Sequence, residues 1–109
     1  MIIKTQVWTT LEFVAFHAWK NAKGKEAYLR FKHRHKFYLK AGVFVTGLDR
    51  EVEFINLQEK IQAYIRKKYE YKTGEWSCEM IATDILKQFD LDEVSVSEDG
   101  ENGSTATRT

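Results

Sequence analysis

Proline is absent, and cysteine occurs once, at Cys78. A single thiol excludes an internal disulfide framework and points to a reducing, cytoplasmic compartment. Residues 1–10 contain no apolar run followed by a small-residue cleavage site, so no signal peptide is expected. No stretch approaches the roughly 18 apolar residues that span a bilayer. An excess of one charge is lacking too. The 17 Lys and Arg stand against 16 Asp and Glu, a net charge of +1, so the field of the whole chain selects neither nucleic acid nor an anionic membrane. No internal repeat is present.

What remains is ordinary globular material, 43% apolar and 30% charged. The 109 residues fit one domain over the whole chain, 1–109, with a modest core of the kind that small proteins extend by oligomerising. Residues 7–19 alternate, with Phe13, Ala15, His17 and Trp19 on one side and Glu12 on the other, the pattern of a strand. Asn21, Lys23 and Gly24 make a polar turn. Residues 28–46 alternate again. Leu29, Phe31, His33, His35, Phe37 and Leu39 face one way, and Tyr28, Arg30, Lys32, Arg34, Lys36, Tyr38 and Lys40 face the other. Together the two runs predict an antiparallel hairpin.

Beyond Gly47 the period changes to that of a helix, with Phe54, Leu57, Ile61, Tyr64, Ile65 and Tyr69 on one stripe. A short linker over 72–76 leads to Ser77, a good N-cap, with Glu79 in the first turn of a second helix. Met80, Ile81, Ile85, Leu86 and Phe89 form its apolar stripe. Val94 and Val96 mark a strand, residues 99–103 a turn, and residues 104–109 a last strand. The predicted class is α+β, in the order β-β-α-α-β-β.

The three histidines carry the chemistry. His33 and His35, two apart on a strand, leave the same face with Cα atoms about 7 Å apart. That face is apolar, between Phe31 and Phe37, where each imidazole must satisfy its ring nitrogens away from water. A lone buried histidine is ordinarily just hydrogen-bonded, but a pair on one face suggests a shared ion. His17 lies near the end of the neighbouring strand in the same register, and hairpin pairing brings it alongside. Three imidazoles and a water make a zinc site of the catalytic type, with an open position, and the same ligands are compatible with iron or manganese. A rival reading treats Lys20, Lys23, Lys25, Arg30, Lys32, Arg34, Lys36 and Lys40 as a nucleic-acid patch. The strand members occupy the solvent register, where a charged face is the plain expectation. A cupin-like barrel also uses a His-x-His strand, but two helices in mid-chain argue against it.

At these residues the chain resembles the 6-pyruvoyltetrahydropterin synthase and 6-carboxytetrahydropterin synthase family. Phe13-Val14-Ala15-Phe16-His17 resembles its Phe-x-Ala-x-His strand, and His33-Arg34-His35 its His-Gly-His. Glu51-Val52-Glu53-Phe54 with Leu57 resembles its Val-x-Asp-Phe-x-x-Leu. The segment from Trp76 to Ala82 resembles its Pro-Thr-x-Glu-Asn-x-Ala, and Val96-Ser97-Glu98-Asp99 its Val-x-Glu-Thr. The five segments follow the family's order and cover most of the chain.

The resemblance implies the tunnelling fold, with two helices on one face of an antiparallel sheet. It further implies a ring-shaped homo-oligomer, trimer or hexamer, with active sites between subunits. It assigns zinc to His17, His33 and His35, and anchoring of a pterin or purine-like ring to Glu98 beside Ser77. The implied activity is that of a carbon–oxygen lyase. Its substrate would be a dihydropterin such as dihydroneopterin triphosphate, in a tetrahydropterin or 7-deazaguanine (queuosine-type) pathway. The family's cysteine, four residues before its His-Gly-His, is Leu29 here, expected on the His33 strand face about 13 Å away. Its Asp-His pair between the helices has no counterpart in residues 70–76. Cys78, at a helix start that lowers a thiol's pKa, and Glu79 are the replacement candidates for proton transfer, although a cysteine there also suits plain packing. The alternative is a non-catalytic, zinc-stabilised purine- or pterin-binding module of the same fold.

Overall fold

The computed structural model describes residues 1–109. Two long strands, β1 (Thr5–His17) and β2 (His33–Val45), pair antiparallel along their whole length, from Thr5 opposite Val45 to His17 opposite His33. Helix α1 (Phe54–Lys68), a two-residue strand β3 (Thr73–Gly74) and helix α2 (Cys78–Gln88) follow, then β4 (Glu93–Glu98) and β5 (Asn102–Thr107). The sheet order is β3-β1-β2-β4-β5. No helix is long and apolar enough to cross a membrane.

Period-two alternation decides which face is covered. The odd residues Phe13, Ala15, Phe37, Leu39 and Ala41, with Val94 and Val96, meet Ile61, Ile65, Ile81 and Ile85 of the helices in one buried core. Phe13 stacks on Phe37 across the strand pair, centroids 5.2 Å apart. Each large apolar side chain buried there contributes about 1.5–3 kcal/mol. The even residues face away from the helices. On that side Lys36 pairs with Glu12, and Lys40 lies over the ring of Trp8.

Both helices start at capping residues. Glu53 accepts from the amides of Ile55 and Asn56, and Ser77 Oγ accepts from the amide of Met80, satisfying N–H groups that a helix start leaves free. Phe54 and Met80, expected on the apolar stripes, are instead exposed. Both sit in first turns; in α2 the neighbouring Cys78 and Ile81 take the buried side, which leaves Met80 turned outward.

The alternation of residues 28–32 does not make a strand. Gly24, at φ +65°, opens a 3-10 segment, Gly24–Arg30, and β2 begins only at His33. Here the backbone bonds locally or to the end of β1: the Phe31 amide donates to Tyr28, and the Trp19 amide to the Leu29 carbonyl. Phe31 and Tyr28, placed on opposite faces by the alternation, are both exposed.

The linker holds the other surprise. Part of it, β3, pairs parallel to β1, with Thr73 beside Phe16 and Gly74 beside His17. Amides of Phe16, Ala18 and Tyr71 bond across this junction. The last strand begins at Asn102, two residues earlier than expected.

Candidate metal centre

The end of the strand pair gathers all three histidines. His17 stands directly opposite His33, and His35 is two residues along on the same face. The rings pack edge to face with centroids 4.5 Å (His17–His33), 4.9 Å (His17–His35) and 4.7 Å (His33–His35) apart. One nitrogen from each lies within 4.8 Å of the others.

What fixes the rings is the partner of each Nδ1. His17 Nδ1 donates to the Trp76 carbonyl (2.9 Å), His33 Nδ1 to the Phe31 carbonyl (2.9 Å) and His35 Nδ1 to Asp99 Oδ2 (2.7 Å). All three partners accept only, so Nδ1 must carry the proton, and a neutral ring then keeps its lone pair on Nε2. This is how metal-ligating histidines are held. Nε2 of His17 is buried and has no hydrogen-bond partner. A buried unpaired ring nitrogen is costly, and a divalent cation coordinated there removes the cost. The donor set therefore fits a divalent ion, as the sequence led one to expect.

Two acids complete the surroundings. Glu98, at the end of β4, places Oε1 3.3 Å from Nε2 of His17 and Oε2 3.6 Å from Nε2 of His35. Expected as a ring anchor, it stands against the histidines. Asp99 was not singled out from the sequence, yet it orients His35 and also accepts from the Lys36 amide. These two donors hold its carboxyl below the usual carboxylate range. The only advance signal was an acid beside Gly100 just past a strand. The Trp76 and Phe31 carbonyls carry no side-chain signature at all.

Beside the histidines opens a cleft of about 1080 Å³. Ser77, Cys78, Glu79 and Glu98 all line it, as do His17 and His33. Trp19, Leu29, Trp76 and Met80 give it apolar walls. Leu29 thus reaches the site from the 3-10 segment, not along the His33 strand face. Cys78 departs from expectation. Burial, with the negative charges of Glu98 and Glu79 adding to it, pushes the thiol up to about 11, which suits the packing alternative and not an acidified thiol. Glu79 moves the other way, lowered by its own backbone amide and by Ser77.

Sheet and helix pair define an α+β domain that gathers three histidines, spaced to hold a metal ion, beside an open cleft. Among solved structures, 6-pyruvoyl tetrahydropterin synthase of Caenorhabditis elegans is similar with a TM-score of 0.75 over 99% of this chain and 98% of that one, at 14% identity. That likeness establishes the fold. No family model matches the sequence, and no curated protein does.

Proposed function

We propose that this chain is a zinc protein that binds a pterin or purine-like ring in the cleft beside His17, His33 and His35. The observation that carries the reading is the set of three Nδ1–H donors locked onto three acceptors, which aims three Nε2 lone pairs at one another. Bound there, zinc would supply Lewis-acid polarisation of a hydroxyl or carbonyl on the ligand.

The chain's own groups would do the rest. Trp19 and Trp76 give flat apolar surface to a planar ring, and Ser77 adds a hydroxyl at the rim. Glu98 stands where ring and ion meet, and a carboxylate accepts paired N–H groups with defined geometry. Glu79 is the available proton acceptor. Cys78 can serve as a proton donor, since its raised pKa keeps it a thiol at neutral pH. On this reading the reaction is a carbon–oxygen lyase step on a dihydropterin such as dihydroneopterin triphosphate, of tetrahydropterin or 7-deazaguanine (queuosine-type) chemistry. The setting is cytoplasmic, in keeping with the lone thiol.

The same thiol favours the second reading, a non-catalytic ring-binding module. A cysteine held protonated is a poor base, and all three imidazoles are committed at the metal centre. Incubating the zinc-loaded protein with dihydroneopterin triphosphate separates the two. A new product by mass, lost in Glu79→Gln with zinc retained, supports the lyase. Binding without turnover supports the module, and neither binding nor turnover of any pterin or purine removes both.

A further inference from the structure

We propose that Gly74 is a positioning residue for His17: because it carries no side chain, the indole of Trp76 lies against β3, and that seat aims the Trp76 carbonyl at Nδ1 of His17. The consequence for zinc rests on the metal reading above; the placing of the ring does not.

Each histidine is held differently. His33 leans on the Phe31 carbonyl just before its own strand, and His35 on the Asp99 side chain. His17 alone is held by the backbone of a separate segment, the stretch from β3 to Trp76. That stretch wraps it. Gly74 lies beside His17 in the parallel pairing. The amides on either side of His17, at Phe16 and Ala18, donate to the carbonyls of Lys72 (2.9 Å) and Gly74 (3.2 Å). Just beyond, the Trp76 carbonyl accepts the ring proton at 2.9 Å.

The need for glycine comes from space and not from the backbone. Gly74 does not have a positive φ, so an alanine meets no conformational strain there. A Cβ, however, would stand 2.5 Å from Cε2 and Cζ2 of the Trp76 indole and 2.8 Å from Cη2. A comfortable carbon–carbon contact is roughly 3.5–4.0 Å. The ring has little room to retreat. It packs edge to face on Tyr69, centroids 4.9 Å apart, and Tyr69 is buried and bound through its hydroxyl to Asp84. An alanine would therefore lever the indole off β3 and swing the carbonyl of the same residue away from His17. The indole also walls the cleft, so one residue sets both a ligand surface and a histidine.

A double-variant cycle tests this, read in two ways on proteins that circular dichroism shows to be folded. Zinc affinity is measured by competition with a chromophoric chelator. The Nδ1 proton of His17 is observed by NMR in metal-free protein carrying isotope-labelled histidine, and assigned by its absence in His17→Ala. Gly74→Ala should weaken zinc binding about 10-fold and remove the hydrogen-bonded His17 proton signal. Trp76→Ala keeps the carbonyl but removes its seat, and should weaken zinc to a similar extent with the same loss of signal. In that background Gly74→Ala should cost nothing further, since no indole is left to displace. Equal losses from Gly74→Ala with and without the indole would overturn the inference in favour of a backbone effect. Wild-type affinity and a wild-type His17 proton in either folded single variant would overturn it outright. Should Gly74→Ala not fold, Trp76→Ala decides by the same two readouts. A wild type that binds no zinc removes the metal reading, and the His17 proton then decides this inference by itself: lost in Gly74→Ala it supports the positioning role, retained it overturns it.

Discussion

At the scale of single residues, each imidazole of the centre is set by what its far nitrogen touches. Two of those partners are backbone carbonyls, and only Asp99 is a side chain that a substitution removes. Asp99→Ala should leave the fold intact and weaken zinc binding about 10- to 100-fold, the usual consequence of losing an orienting partner. Competition against a chromophoric chelator measures it, and unchanged affinity would show that His35 needs no such hold. The histidines themselves were legible because a period of two puts alternate residues on one face and hairpin pairing adds the third. Asp99, Trp76 and Phe31 were not, because second-sphere contacts depend on a turn and on carbonyl directions that no residue type announces. Cys78 was misjudged in its acidity. Its helix-start position and its suitability for packing were both visible; that burial, with the charges of Glu98 and Glu79 adding to it, would raise the thiol's pKa was not.

Among the elements, the two helices are joined by one carboxylate. Asp84 on α2 accepts from Tyr64 (3.0 Å), Tyr69 (2.5 Å) and Lys68 (3.0 Å) of α1 and its end. Burial pushes its pKa up, yet the three donors outweigh that and hold it below the ordinary value. The sign follows from the lowered folded value. The ionised form stabilises the fold above the unfolded pKa of about 3.9, and that contribution is lost as pH falls through the lower folded value. Asp84→Ala should cost about 1–3 kcal/mol at neutral pH, because the buried Tyr69 hydroxyl loses its acceptor. The deficit should shrink towards pH 3 in urea denaturation. A pH-independent difference would contradict the assignment.

The helices were legible from their stripes and from Ser77. The start of β2 was not. Residues 28–32 alternate in composition like the strand they precede, and only the positive φ at Gly24 and local i to i+3 bonding distinguish them. β3 escaped notice for a simpler reason: two residues are too few to show a period.

Over the whole molecule, 51 × 30 × 21 Å, the site belongs to no single element. His17 comes from β1, His33 and His35 from β2, and Glu98 from β4; the β3–Trp76 segment braces His17. Beyond its last residues β1 has no neighbour on its outer side, and β5 ends the sheet at the other edge. Exposed strand edges of this kind invite pairing with further copies, in keeping with the trimeric or hexameric ring that the family resemblance implies. Light scattering should therefore give a mass several times 12.8 kDa, and a monomer at micromolar concentration would count against the ring. An ion held by His17 of β1 and by His33 and His35 of β2 would tie the two long strands together, so its binding should also stabilise the fold as a whole by mass action. The most direct measurement is zinc titrated into metal-free protein, read by equilibrium dialysis and by thermal unfolding. The account predicts about one zinc per chain and a raised Tm in wild type, with both lost in a folded His17→Ala, His33→Ala double variant. Full zinc binding by that variant, or none by wild type, would contradict it.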